Sequence, residues 1–510
     1  MSKKTLIAGT LVLTAASFIT RLLGFGFRIY QSQVMGAEGM GLYQLLFPIY
    51  MLLWAASSAG ISLSIAKLIA AEVSKGEEGN AIHILKVSLI ISLPFSLLLS
   101  ILLFFFAPII AQYYIHEPVT ELSLRILSFC VPFMSTACCL RGYFQGHQQM
   151  SITALAQIVE QVARMTAIFL LANWLIPMGT AYICALGVIG MCMGEVFSFI
   201  MSFIAYLIKK HHMTLTPVTL GCTQTLNQLI TLSIPITANR FLTSGLTSFE
   251  NILIPIMLEQ FGLTSHESLA LYGKFSGMAL PLLLFPSMVT SSLAVALVPA
   301  ISEAVATKNK PVLQSTIGRA IQFSLLIGIG SASIFLCFSR DIAVVCYRLE
   351  DVGILLKWLA VVCPFLYLQN ILTGTMNGLG MQKKTFQTNL IGSLFCITTI
   401  LLIVPRKGII GFVLALLIQS GFVCCKLLIY VLNFVELHID LRRWILRPTL
   451  SAFISAFIAV SFSRFFDTLF GLTLGTIFSL VSFGTSYLFF LILFGSFSVQ
   501  ELKQFLRRSH

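Results

Sequence analysis

The sequence predicts an all-α polytopic membrane protein of about fourteen transmembrane helices, arranged as two six-helix lobes and a C-terminal helix pair. Three observations carry this. Of the 510 residues 57% are hydrophobic and only 10% charged, with a mean hydropathy of +0.94, so the chain lacks the polar surface a globule needs in water. Apolar runs near or above the ~20 residues needed to cross a bilayer recur from one end to the other. Features of the first half also return in the second at a nearly fixed offset.

The apolar segments fall at approximately 5–29, 41–70, 87–111, 121–145, 151–174, 179–208, 228–258, 269–302, 317–338, 353–379, 385–404, 408–434, 448–466 and 472–497. The lobes are expected over 1–212 and 213–439, with the last helix pair and tail over 440–510. Several segments are longer than one crossing requires, which implies tilts or kinks; Pro48, Pro94, Pro132, Pro235, Pro255, Pro281, Pro286 and Pro364 are the candidates. Lys3 and Lys4 precede a run that continues to about Ile29, too long for a signal peptide, so it reads as an uncleaved first helix. The longest connection is about 209–227, leaving no room for a soluble domain.

The formal charge of +13 excludes little by itself, because the basic residues stand in short clusters between apolar runs, as positive-inside topology requires. Nucleic-acid binding is therefore not predicted. Eighteen loop and helix-end Lys and Arg fall on one side and seven on the other, which puts both termini in the cytoplasm. Arg141 is counted there as a helix-end residue. The twelve cysteines contain no CxxC pair and lie mostly inside apolar runs, so they read as small buried hydrophobes, with no metal site or disulfide framework.

The internal repeat is carried by Pro132-Phe133, Gly142 and Gly146, which return as Pro364-Phe365, Gly374 and Gly378, each 232 residues later. Leu42-Tyr43 with Glu72 and Leu271-Tyr272 with Glu303 give a second match at offsets of 229 and 231. Small residues four apart let helices approach closely. A displacement of six helices is even, so the copies insert in the same direction, as a parallel repeat about an axis along the membrane normal.

Charge inside the apolar segments costs about 2.5–3.5 kcal/mol per Arg and marks candidate function. Arg21 and Arg28 lie seven apart in the first segment, on one helix face, where they can hold an anion together; snorkelling to the interface is the alternative for Arg28. The fifth segment carries Gln157, Glu160, Gln161 and Arg164 on one face, with Glu160 and Arg164 at ion-pair spacing, either as part of a binding site or as a self-neutralising structural pair. Asn239, Arg240, Thr243, Thr247, Glu250 and Asn251 form a polar stripe on the seventh. Lys67, Glu195 and Lys274 complete the set. The cations outnumber the acids, which predicts an anionic passenger.

Thr20-Arg21-Leu22-Leu23-Gly24-Phe25, followed by Gly26-Phe27-Arg28, resembles the first helix of the lipid II flippases. With Leu42-Tyr43, the two Pro…Gly-x-x-x-Gly copies and the final helix pair, the full chain resembles the sporulation and polysaccharide-transporter members of the multidrug/oligosaccharidyl-lipid/polysaccharide exporter superfamily more closely still. That resemblance implies two six-helix lobes around a cavity and two added C-terminal helices. It also implies a role for Arg21 and Arg28 in holding the pyrophosphate of a lipid carrier. The spacing of the two arginines is one residue longer than the flippase motif, and Ile29 replaces its acidic residue.

The implied function is a flippase for an undecaprenyl-pyrophosphate-linked glycan, a peptidoglycan precursor for the spore cortex, with Arg21, Arg28, Glu160, Arg164, Arg240, Glu250 and Lys274 as candidate substrate-binding residues. The partners implied are the lipid-linked oligosaccharide, membrane lipids and cell-wall synthesis proteins. No catalytic residue and no cofactor are predicted, and the chain contains no GxxxxGK[ST] phosphate loop for ATP. Two other readings stay open, an antiporter and an assembly factor, while the features a membrane glycosyltransferase needs are not evident in the sequence. A drug/cation antiporter of the same fold would use Glu160 or Glu195; a membrane glycosyltransferase would need acidic residues with a large outer loop; a non-transporting assembly factor would keep the fold alone.

Overall fold

The computed structural model describes residues 3–211, 216–437 and 440–496. Among them every regular element is helical, because in a hydrocarbon core a helix satisfies all its own backbone N–H and C=O groups. In chain order these are α1 (Lys3–Trp54), α2 (Gly60–Ser74), α3 (Glu78–Ile109), α4 (Glu121–Gly146), α5 (Met150–Leu175), α6 (Thr180–His211) and α7 (Cys222–Gln260). They are followed by α8 (Ser265–Tyr272), α9 (Leu280–Leu284), α10 (Ser287–Ala306), α11 (Lys310–Tyr347), α12 (Glu350–Leu359), α13 (Cys363–Gly378), α14 (Gln382–Lys407), α15 (Ile409–Val435) and α16 (Arg447–Leu493).

Twelve helical stretches among the described residues are long and apolar enough to cross a membrane. Two of them, Phe18–Ser74 and Arg442–Leu493, run to 57 and 52 residues. At 1.5 Å per residue each exceeds twice the ~30 Å hydrocarbon thickness, so each is long enough for two crossings. Both are broken by a glycine at positive φ, Gly36 (φ 70°) and Gly471 (φ 76°), a conformation that any other L-residue adopts at a cost. The sequence expectation of fourteen counts each of these stretches as two. Where a loop was expected between residues 29 and 41 the chain stays helical on both sides of Gly36. The segment expected over 269–302 is instead divided into α8, a π-helical turn at Gly273–Ala279, α9 and α10, with Pro281 and Pro286 at the joints.

The chain forms two compact units, Met1–Pro255 and Ile256–His510, dividing near the end of α7, downstream of the 212/213 boundary expected from the repeat. Each unit builds the same helix contact. In the first, Gly142 and Gly146 of α4 press on α2: a Cβ there would lie 2.6 Å from the Ser62 carbonyl oxygen and 2.8 Å from Ile69 Cβ. In the second, Gly374 and Gly378 of α13 press on α10, 2.5 Å from the Ala294 oxygen and 2.8 Å from Ile301 Cβ. The glycines and both contacted residues are all 232 apart. The left-handed residues Gly76, His116 and Gln148 likewise return as Lys308, Arg348 and Gly380. At the end of α2 the Glu72 carbonyl accepts the Glu77 N–H, and the Ala304 carbonyl accepts that of Asn309. Ala304, and not Glu303, therefore occupies the place of Glu72.

The core of each unit is apolar, aliphatic side chains packing around buried aromatics such as Tyr143 and Phe144 in the first and Tyr367 and Phe275 in the second, with serine and threonine hydroxyls turned back onto their own helix carbonyls, as Ser64 on Gly60 and Ser420 on Leu416. In the second unit α16 docks on α11. The Tyr487 hydroxyl donates to the Leu326 carbonyl at 3.0 Å, and its ring covers Gly330.

Candidate functional site

Within the first unit four helices converge on a cavity of about 460 Å³. Helix α1 contributes Thr20 and Arg21 from one stretch and Tyr50, Met51 and Trp54 from another, just ahead of the π-helical turn Ala55–Ala59. Helix α4 contributes Arg141; α5 contributes Gln157, Glu160 and Gln161; α6 contributes Glu195. The α5 residues share a face because spacings of three and four return to the same side of a helix. Helix α6 reaches them because Gly194 has no side chain: a Cβ there would lie 2.9 Å from the Glu160 carbonyl oxygen.

Five ionisable or phenolic groups interlock around this wall. Arg164 Nη2 donates to Glu160 Oε1 at 3.1 Å, one turn away on the same helix. Arg141 spans the two acids, with Nη1 3.5 Å from Glu160 Oε2 and Nη2 3.8 Å from Glu195 Oε2. The Tyr50 hydroxyl donates to Glu195 Oε1 at 2.6 Å. Glu195 is 2% exposed, so its contacts with Arg141 and Tyr50 act away from bulk water, where Coulomb attraction is far stronger than at a surface. Arg21 is exposed to the cavity and makes no ion pair among the described residues. The wall therefore holds Arg21 and Arg141, with Arg164 behind them, against Glu160 and Glu195: a polar cavity with an excess of positive charge.

The sequence-predicted residues are placed as follows. Arg21 and Glu160 line the cavity, and Arg164 pairs with Glu160. Arg28, two turns farther along α1, is half-buried and lies outside the lining. Arg240 of α7 lies outside the lining, its guanidinium carbon 5.8 Å from the centroid of the ring of Trp54, which does line the cavity. Glu250 lies ten residues on along α7, half-buried and away from this lining. Lys274 belongs to the second unit, where its Nζ is 2.8 Å from Asp351 Oδ2. Lys67 is exposed.

Arg141 was not singled out from the sequence, where it stood among helix-end cations. Its side chain is 15% exposed and lies inside the site. The signal that places it is Gly142–Gly146: the helix packs for another five residues beyond Arg141, so that position is not a loop.

Residues 6–305 match the family of polysaccharide biosynthesis proteins. Stage V sporulation protein B of Bacillus subtilis (strain 168) is 32% identical over 436 residues, 84% of this chain and 83% of that protein. The lipid II flippase MurJ of the same organism is 32% identical over 185 residues, 34% of this chain and 32% of that protein. Among solved structures, lipid II flippase MurJ in an inward closed conformation superposes with a TM-score of 0.67 at 16% identity, covering 95% of this chain and 98% of that one; the likeness is one of fold.

Proposed function

We propose that this chain, which belongs to the polysaccharide biosynthesis protein family, is a flippase for an undecaprenyl-pyrophosphate-linked glycan. The observation that carries the reading is Arg21: a cation that makes no ion pair among the described residues, on a membrane helix, facing a polar cavity that already holds a second arginine. An isolated guanidinium in a bilayer helix is retained where it meets water, protein or a ligand, and its planar fork matches phosphate oxygens two at a time. The relatives at comparable identity point the same way: one is a sporulation protein, one a lipid II flippase.

The head group enters the cavity and pairs with Arg21 through charge-assisted bonds, while the polyprenyl tail stays in lipid. Alternating access then presents the cavity to the other face of the membrane. No bond of the substrate is made or broken. Both termini lie in the cytoplasm, the lobes extend over 1–212 and 213–439, and the passenger is a peptidoglycan precursor for the spore cortex. The drive comes from membrane potential or an ion gradient, a potential of 100 mV being worth about 2.3 kcal/mol per elementary charge.

The test is transport. Purified protein in liposomes is loaded with a pyrophosphate-linked polyprenyl disaccharide carrying a fluorophore that a membrane-impermeant reductant bleaches. Flipping exposes the inner-leaflet pool to bleaching. A rate above protein-free liposomes, abolished by Arg21→Ala, is the expected result; rates equal to protein-free liposomes favour the assembly-factor reading.

A further inference from the structure

Arg141 lies between two carboxylates and is held tightly by neither. Its 3.5 and 3.8 Å approaches to Glu160 and Glu195 exceed the ~2.7–2.9 Å of a strong charge-assisted bond. Each acid has a closer partner elsewhere. Glu160 Oε1 takes Arg164 at 3.1 Å, and Glu195 Oε1 accepts the Tyr50 hydroxyl at 2.6 Å. The oxygen of Glu195 that faces Arg141, Oε2, is buried and accepts no hydrogen bond. Both carboxylates are thus anchored through one oxygen and offer the other to Arg141 at long range. If Arg141 turns toward the cavity, which it lines, the acids keep their anchors.

We infer that Arg141 is a second phosphate-binding cation, held in reserve by Glu160 and Glu195 and surrendered to the incoming pyrophosphate. The inference rests on the flippase reading. A pyrophosphate offers more charge and better-placed oxygens than the two carboxylates, so Arg141 exchanges two long contacts for short bidentate ones. Arg21 takes the other phosphate from the same wall. In the empty cavity the acids neutralise Arg141 and lower the cost of burying it in a bilayer. In the loaded cavity the same acids face the anion and repel it, which limits how tightly it is held and so favours release. The consequence has a definite sign: removing an acid tightens binding, and removing Arg141 weakens it.

The experiment titrates full-length protein in phosphatidylcholine nanodiscs with undecaprenyl pyrophosphate and, separately, with undecaprenol, which carries the tail without the phosphates. Wild type is expected to bind only the pyrophosphate lipid. Glu195→Gln is expected to bind it about fivefold tighter, and Arg141→Gln about tenfold weaker, the loss of roughly one charge-assisted interaction. A double variant, Arg141→Gln with Glu195→Gln, removes one charge of each sign. It stays weak if Arg141 touches the phosphate and recovers wild-type affinity if Arg141 only balances Glu195, an outcome that overturns the inference. The gain in Glu195→Gln keeps Arg141 in place and cannot arise from misfolding. Wild-type affinity in both single variants overturns the inference and leaves the flippase reading standing. A wild type that does not distinguish the pyrophosphate lipid from undecaprenol overturns both.

Discussion

Trp54 connects the cavity to α7 through a single ring. Trp54 lines the cavity, and the Arg240 guanidinium lies 5.8 Å from the centroid of its ring. A cation–π contact of this kind is worth about 0.5–2 kcal/mol. Arg240→Ala is therefore expected to weaken pyrophosphate-lipid binding several-fold by letting Trp54 move, while Arg240→Lys, which keeps a cation over the ring, is expected to show less than half of that loss; equilibrium titration in nanodiscs reads both. Tyr50→Phe has a different signature. It removes the 2.6 Å donor to a buried carboxylate, so it is expected to cost about 1–3 kcal/mol of stability, read as a lower melting temperature in detergent. At this scale the sequence revealed whatever shares one helix. Gln157, Glu160, Gln161 and Arg164 were legible because spacing alone puts them on one face. Arg141 and Glu195 meet Glu160 from other helices, across 19 and 35 residues of chain, and no periodicity reports such a meeting.

The element that defines the repeat is the glycine pair. Gly146 and Gly378 leave no room for a β-carbon, with Ile69 and Ile301 Cβ each at 2.8 Å from where one would be. Gly146→Val and Gly378→Val are each expected to destabilise by about 1–3 kcal/mol, the cost of overpacking, and by similar amounts, since the neighbours correspond residue for residue. A melting curve for each variant checks it; a large effect in one unit and none in the other would break the equivalence. The repeat was legible because a Pro and two Gly survived at one offset. Its exact alignment elsewhere was not, as Glu72 and Glu303 show: identity of residue type misled by one position, and the carbonyl bonding that closes α2 and α10 corrects it. The breaks at Gly36 and Gly471 were also hidden, because glycine in an apolar run reads equally as a close helix contact. Pro281 and Pro286 stand at breaks, whereas Pro48, Pro94, Pro132, Pro235 and Pro255, named as kink candidates on the same ground, lie inside helices that continue through them, as membrane helices tolerate.

For the whole molecule, the proposed carriage of anionic lipid-linked sugars rests on a run of apolar helices and a cationic cavity in the first unit. The orientation proposed here is testable with a native residue. Cys222, exposed at the start of α7, lies within the 209–227 connection that the proposed orientation puts in the cytoplasm, so in a variant retaining only that cysteine a membrane-impermeant maleimide should label it in inside-out vesicles and not in intact cells. Labelling in intact cells would invert the topology. The most direct test of the account is the affinity of undecaprenyl pyrophosphate for wild type and for Arg21→Ala, measured side by side by native mass spectrometry in nanodiscs with melting temperatures matched. The account predicts binding by wild type and a loss of about tenfold or more in the variant. Equal affinity would contradict it and leave Arg21 a structural residue.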